Sequence, residues 1–247
     1  MTTLLDAFAH HRIDVGPLSL SIRRGGAGAP LILLHGYPQT HMAWERVAPA
    51  FAERFDVIIP DLRGYGESEA PPADGGHRAY SKREMALDLV GLMDALDIPR
   101  AHVLGHDRGA RVAYRLALDH PGRVARLGIV EVVPTGDFWA SWTAELALRA
   151  YHWTFLAQPS PLPERMILAD GPAYVDWTLA SWTATGDLSP FSEAALASYR
   201  AQAADPARVA AMCEDYRAGA GIDRVLDAED RKRGARISAP LHFVWAA

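Results

Sequence analysis

The first half of the chain alternates short apolar runs with longer segments in which apolar residues recur at helical spacing. A short apolar run bounded by turn residues is typical of a strand that is buried on both faces. Strands of this kind that alternate with helices indicate an α/β fold, in which a mostly parallel sheet carries helices on both faces. The runs lie at residues 31–34, 57–59, 101–104 and 127–133, and the weaker alternation at residues 18–24 predicts an edge strand.

Two helices of the first half can be predicted from local signals. Apolar spacing indicates one helix over residues 42–51. Ser81 followed by Glu84 forms a capping box, and from it a second helix is predicted to run towards Leu96.

The pattern changes after residue 134. Helical spacing dominates from residue 135 to about residue 228, and five of the seven tryptophans lie there. We therefore predict that residues 1–134 form the first part of an α/β core and residues 135–228 a helical cap. Residues 229–247 are predicted to return to the core, with a buried strand at residues 240–245.

The pentapeptide GHDRG at residues 105–109 joins the apolar run at residues 101–104 to a helical segment. A strand, a sharp turn with small residues around a central nucleophile, and a helix form a nucleophile elbow. Here the central residue is Asp107, and a carboxylate is suited to displacing a leaving group from a saturated carbon, which leaves an ester on the enzyme. The positive end of the following helix favours the ionised carboxylate. The alternative is a strand-to-helix turn in which Asp107 is an ordinary N-cap.

Several polar segments follow the predicted strands directly. Residues 35–38, residues 61–68, the elbow and Glu131 each lie at or near the carboxyl end of a strand. Because ligands of such sheets bind beyond the carboxyl ends of the strands, we expect these segments to line one crevice.

Five segments together resemble the haloacetate dehalogenases of the α/β-hydrolase superfamily, in particular the branch that hydrolyses fluoroacetate. They are HGYPQTHMAW, DLRGYGES, GHDRGARVAYRLAL, YHWTFLAQPSPLPE and MCEDYRAGA. The likeness runs from about residue 31 to the last residue; epoxide hydrolases share the pentapeptide, and the cap segments make the likeness specific. It implies an α/β-hydrolase fold and the conversion of a haloacetate, such as fluoroacetate, into glycolate through an ester of Asp107.

The resemblance also implies roles for residues around the nucleophile. His152, Trp153 and Tyr216 stand where the family places a His, a Trp and a Tyr around the halide. The backbone N–H groups of Tyr37 and Arg108 stand where the superfamily forms its oxyanion hole, which stabilises the tetrahedral intermediate when water attacks the ester.

Two arginines next to Asp107 indicate an anionic substrate. The carboxylate of a haloacetate and that of Asp107 repel by roughly 4 kcal/mol at about 4 Å and an effective dielectric of 20. Arg108 and Arg111 are three residues apart, so they share a face of the helix and can bind a carboxylate in a fork. Haloalkane dehalogenases, whose substrates are uncharged, usually carry Trp at the position of Arg108.

The chain departs from the family pattern at two points. The dehalogenases that it resembles usually show Asp at the position of Glu131, where the acid orients the catalytic histidine. In the family, that water-activating histidine follows the last strand, and none of the ten histidines of this chain stands in a position to replace it. We therefore expect a truncated chain that lacks the C-terminal part of the core, alkylates Asp107 without hydrolysing the ester efficiently, and exposes a sheet edge.

Composition and charge argue against several other kinds of function. The chain has 247 residues, a net charge of −5 and one cysteine, Cys213, which argues against binding to nucleic acid or anionic membranes and against an internal disulfide. The N-terminus lacks the pattern of a signal peptide, so we predict a cytoplasmic protein whose partner is a small haloacid. No metal-ligand cluster or phosphate loop indicates a metal or an organic cofactor. A homodimer is left open.

Two other functions remain as alternatives. An epoxide hydrolase would use the same Asp107, with Tyr151 or Tyr216 protonating the epoxide oxygen. A non-catalytic binding protein of the same fold would have no need for Asp107 as a nucleophile.

Overall fold

The structure, a computed structural model, describes residues 4–245. Its strands are β1 (Ala9–Asp14), β2 (Ser19–Gly26), β3 (Ala29–Leu34), β4 (Phe55–Pro60), β5 (Ala101–His106), β6 (Val124–Val130) and β7 (Leu241–Val244). They form one sheet in the order β1-β2-β4-β3-β5-β6-β7, in which β1 and β2 are antiparallel to their neighbours and the other pairings are parallel. The predicted α/β class with a mostly parallel sheet is confirmed.

Helices cover the sheet and fill the sequence between β6 and β7. They are α1 (Ala48–Ala52), α2 (Lys82–Ala95), α3 (Arg108–Asp119), α4 (Thr135–Ala140), α5 (Ala144–Arg149), α6 (Tyr151–Leu156), α7 (Leu162–Ala169), α8 (Gly171–Ser181), α9 (Glu193–Ala203), α10 (Pro206–Ala220) and α11 (Ile222–Arg233). The division of the chain at residues 134 and 228 stays a prediction, and α11 spans residue 228. None of the helices in the described part of the chain is long and apolar enough to cross a membrane.

Alternate residues of the central strands serve two cores on opposite faces of the sheet. Ile32 and Leu34 of β3 pack in the core that contains residues of α2 and α3. Leu31 and Leu33 of the same strand pack in the core that contains residues of α1, α8 and α9. Because both faces are buried, these strands read as continuous apolar runs, and the expected helices on both faces are confirmed.

The prediction that residues 18–24 form an edge strand is wrong. β2 lies between β1 and β4, and the strand at that edge of the sheet is β1, whose sequence AHHRID is mostly polar and exposed. Pairing with β2 holds β1 in place. Because β1 has no apolar run, the sequence pattern did not predict it.

Two further element predictions need correction. Residues 42–51 do not form one helix: a 3-10 helix at His41–Trp44 is followed by α1, with Pro49 in its first turn. Proline lacks the N–H that the interior of a longer helix requires, so the chain starts a new helix there. A strand forms within residues 240–245 as predicted. It is β7 (Leu241–Val244), and all four of its residues are exposed rather than buried.

Ser81 is the N-cap of α2 as predicted, but the capping box is only half formed, since the backbone N–H of Ser81 donates to the Arg78 carbonyl oxygen at 2.9 Å. Ser81 Oγ accepts a hydrogen bond from the backbone N–H of Glu84 at 3.3 Å. Asp223 adds a second cap from α11, since its Oδ1 accepts the backbone N–H of Lys82 at 2.9 Å. The start of α2 is thus fixed by a local residue and by a distant acid.

Candidate active site

Asp107 occupies a strained turn between β5 and α3. Its φ of +48° lies in the region that L-residues rarely adopt. A side chain on Gly109 would collide with the carbonyl oxygens of Leu34 and His35, so the turn requires glycine there. This is the geometry of a nucleophile elbow.

The carboxylate of Asp107 bonds to the loop after β3 rather than to its own helix. It caps no backbone N–H of α3, so the alternative interpretation as an ordinary N-cap is wrong. Instead, Oδ1 accepts the backbone N–H of Tyr37 at 2.9 Å. A Cβ on Gly36 would lie 2.6 Å from Oδ1, so only glycine leaves room for the carboxylate beside the loop after β3.

The surroundings of Asp107 favour its ionised form. Burial alone would raise its pKa, but the neighbouring His106, Arg108 and Arg111 and the Tyr37 N–H hold the pKa below its ordinary value. A carboxylate that stays ionised at neutral pH is available as a nucleophile.

Arg108 is fully buried and forms an ion pair with Asp215, a residue that the sequence did not indicate. Its Nε and Nη2 donate to the two carboxylate oxygens of Asp215 at 3.0 and 2.6 Å. Nη1 is also buried, and no described atom accepts from it. The guanidinium carbon lies 4.3 Å from the ring centroid of Tyr216.

Arg111 is buried without a carboxylate in hydrogen-bonding contact in the described structure. Its Nη1 donates to the backbone oxygen of Val133 at 2.9 Å and to Thr135 Oγ1 at 3.0 Å. Its Nε is buried, and nothing in residues 4–245 accepts from it. The guanidinium lies over the ring of Trp153, 4.6 Å from its centroid.

The three residues expected around a halide lie together. The ring centroid of Tyr216 is 5.6 Å from that of His152 and 5.6 Å from that of Trp153. His152 Nδ1 is buried, and the described residues offer it no hydrogen-bond partner. Burial lowers the pKa of His152 to about 4, Asp107 opposes that shift, and the two arginines add to it, so the ring is neutral at pH 7.

Most of the predicted site residues line one cavity of about 470 Å³. Arg108 and Tyr216 do not line it and pack behind its wall, and Tyr151 is likewise absent from the lining. The sequence also missed several lining side chains from the helical segment. The predicted residues that line the cavity are Tyr37, Asp107, Arg111, Glu131, His152 and Trp153, and the missed ones include Phe138, Leu179, Trp182 and Phe191.

Glu131 follows β6 directly and has a φ of +56°. Its backbone N–H donates to the carbonyl oxygen of Val244, the last residue of β7, at 3.0 Å. The turn places Glu131 on the wall of the cavity, at the strand end where the sequence predicts an acid.

His35 and His106 have different surroundings. His35 Nδ1 lies 3.0 Å from the Gly36 carbonyl oxygen, and its Nε2 accepts the Leu62 N–H at 3.0 Å, so both ring nitrogens hold the loops in place. His106, by contrast, lines the cavity beside Asp107.

Comparisons with known proteins extend over most of the chain. A family model for the alpha/beta hydrolase fold matches residues 29–226. Fluoroacetate dehalogenase from Burkholderia sp is 41% identical over 236 residues, which is 96% of this chain and 77% of that protein. Soluble epoxide hydrolase from Corynebacterium sp. (strain C12) is 33% identical over 214 residues, 85% of this chain and 72% of that one. The crystal structure of a Nostoc sp PCC 7120 protein assigned to the alpha/beta hydrolases matches with a TM-score of 0.94 at 44% identity, covering 98% of this chain and 82% of that chain.

Proposed function

The chain belongs to the alpha/beta hydrolase fold family, and we propose that its reaction is the hydrolytic dehalogenation of a haloacetate, with fluoroacetate converted into glycolate. The resemblance to fluoroacetate dehalogenase supports this choice of substrate, because that relative is 41% identical over nearly the whole chain. Asp107 is the proposed nucleophile.

The observation that carries the proposal is a pair of buried arginines with unused donors next to Asp107. Arg108 Nη1 and Arg111 Nε have no acceptor among the described residues. A buried donor without an acceptor is costly, and each hydrogen bond to a charged group contributes about 1.5–3 kcal/mol. A substrate carboxylate in the cavity would accept from Arg111 Nε, and the buried charge of Arg108 behind the wall would offset the repulsion between that carboxylate and Asp107.

The first chemical step is a displacement at the α-carbon. An oxygen of Asp107 attacks the α-carbon, the carbon–halogen bond breaks, and the halide leaves with the bonding electron pair. His152 and Trp153, which line the cavity, and Tyr216, which packs against both, are proposed to surround the halide with neutral N–H and O–H donors. His152 suits this role because its pKa of about 4 leaves an uncharged ring at neutral pH.

The second step is hydrolysis of the ester. Water attacks the carbonyl carbon of the Asp107 ester, and cleavage of the carbon–oxygen bond releases glycolate and regenerates the carboxylate. The backbone N–H groups of Tyr37 and Arg108 are proposed to stabilise the oxyanion. Glu131 is assigned to orienting the histidine that takes a proton from the attacking water, and none of the ten histidines of this sequence stands where the family places that base.

Halide released per chain from fluoroacetate, followed by the intact mass of the protein, tests the proposal. Many equivalents of fluoride, or one equivalent with a covalent adduct, would support it, and the number shows whether the ester is hydrolysed. Asp107→Asn is the matched control, since it keeps the size of the side chain and removes its charge; we expect neither fluoride nor adduct. A folded wild-type protein that gives neither would contradict the proposal.

Epoxide hydrolysis is the second candidate, because the Corynebacterium relative is 33% identical over 85% of this chain. Neither of the two tyrosines considered as proton donors lines the cavity, and the rings of both pack against His152, which does. Tyr151 OH lies 3.5 Å from Thr178 Oγ1. Diol formation from a neutral epoxide, without halide release from a haloacetate, would favour this candidate. Binding of small acids that survives Asp107→Ala and leaves no adduct would favour a non-catalytic protein.

A further inference from the structure

A buried network of charges joins three helices behind the wall of the cavity. Asp215 of α10 accepts from Arg108 of α3, and the Nζ of Lys82, the first residue of α2, donates to Asp215 Oδ1. Tyr65 OH donates to the other oxygen, Oδ2, at 2.8 Å. All four residues are at most 1% exposed, so solvent screens their charges very little.

Asp215 fixes Arg108 but also opposes its charge. Its carboxylate takes the Nε and Nη2 edge of the guanidinium, which leaves Nη1 for another acceptor. An arginine paired with one carboxylate carries no net charge as a pair, and a neutral pair attracts a second anion weakly. Lys82 changes this balance, because two cations then share one carboxylate. Burial and the neighbouring charge of Arg108 accordingly lower the pKa of Lys82 from its ordinary value.

The second carboxylate near Lys82 is a weaker counter-ion. Asp223 Oδ1 accepts the backbone N–H of Lys82, and its Oδ2 has no partner in the described residues. Burial raises the pKa of Asp223, which favours its neutral form. The network of Arg108, Asp215 and Lys82 therefore retains a net positive charge behind the cavity.

We propose that Lys82, which does not line the cavity, sets how strongly the site binds an anionic substrate. By neutralising Asp215, Lys82 leaves the charge of Arg108 available to the substrate carboxylate. Lys82 is in this sense a positioning and charge-balancing residue, since it acts through Asp215 and Arg108. The inference rests on the proposed function for the identity of the anion.

A purely structural role would have a different signature. Lys82 and Asp215 also join α2 to α10, so their loss could loosen the protein as a whole. Loosening would impair reaction with every substrate. A loss of positive charge would impair reaction only with a charged substrate.

The test compares chloroacetate with chloroacetamide, which has nearly the same shape and no charge. The rate of adduct formation on Asp107 is followed by intact mass against the concentration of each reagent, with Asp107→Asn as the blank. In Lys82→Met, which keeps a linear apolar side chain, we expect the half-saturating concentration of chloroacetate to rise about tenfold. The values for chloroacetamide should change by less than about twofold, and this doubles as the check that the variant is folded.

Two further variants complete the design. Lys82→Arg keeps the charge and should keep the preference for chloroacetate. Asp223→Asn removes a buried carboxylate that does not contact Arg108, and it should not raise the half-saturating concentration of chloroacetate.

Each outcome separates the inference from the proposed function. Suppose that wild type forms the adduct, but that Lys82→Met and Lys82→Arg impair adduct formation with both reagents equally, or impair it with neither. The inference is then overturned and the proposed function stands. If wild type forms no adduct from chloroacetate, the proposed function falls and the inference falls with it.

Discussion

Helix α3 carries buried arginines in two different electrostatic settings. Arg115, in the later part of the helix, contacts three carboxylates: Asp119 at 3.3 Å, Asp227 at 2.7 Å, and Asp230. Two of these acids belong to α11, so the arginine joins that helix to the core. Its charge is more than matched within the protein.

Arg111, in the first turn, is equally buried but has only neutral acceptors in the described residues, Val133 O and Thr135 Oγ1. Burial lowers its pKa, which measures how poorly its charge is compensated. This difference separates an arginine whose partners are structural from one that fits the carboxylate-binding role proposed for Arg111. A buried guanidinium with several carboxylates holds the fold together, whereas one without a carboxylate is suited to an incoming anion.

Removal of Arg115 should give the largest effect on stability. Arg115→Met leaves Asp227 and Asp230 without their cation, and breaking a buried ion pair in this way costs about 3 kcal/mol of unfolding free energy. Denaturant unfolding measures this loss, and the rate of Asp107 alkylation by chloroacetate should stay within about twofold of wild type. An unchanged unfolding free energy would show that the three contacts contribute little.

Removal of Arg111 should separate binding from stability. In Arg111→Met, alkylation by chloroacetate should fall about a hundredfold, which corresponds to the loss of one or two hydrogen bonds to a charged group. The unfolding free energy should change by less than about 1 kcal/mol, because an incompletely paired buried charge is removed. Chloroacetamide is the control reagent, and an equal loss with it would contradict a role in carboxylate binding.

The elbow could be predicted from sequence because all of its determinants are local. The strand, the flanking glycines and the helix lie within about twenty consecutive residues, and the spacing of Arg108 and Arg111 fixes their common face. The sequence therefore assigned both arginines the same role. It could not show that Arg108 is paired, because Asp215 is 107 residues away along the chain.

Other features escaped prediction because tertiary contacts decide them. The polar strand β1 exists through its pairing with β2, and no apolar pattern marks it. Phe138 of α4 and Trp182, which directly follows α8, line the cavity, and the packing of these helices over the sheet has no signature in their own spacing. Asp215 directly precedes Tyr216, which the resemblance did indicate, but the sequence alone does not show that this acid is buried against Arg108.

The smallest expected effect is a shift in the pKa of His152, which should differ between variants of the two arginines. Burial holds the pKa of His152 at about 4, and Arg108 and Arg111 contribute to lowering it. Because that value lies below the ordinary value of about 6.5, the unfolded state binds more protons between these pH values. The contribution of His152 to stability is therefore complete above about pH 6.5 and is lost as the pH falls towards 4.

In Arg111→Met the pKa of His152 should rise towards its ordinary value, and this loss on acidification should become smaller. Arg115→Met should leave the pKa unchanged, since Arg115 is matched by its own carboxylates. Titration of the imidazole by nuclear magnetic resonance measures both shifts, and equal shifts in the two variants would remove the distinction between the two arginines.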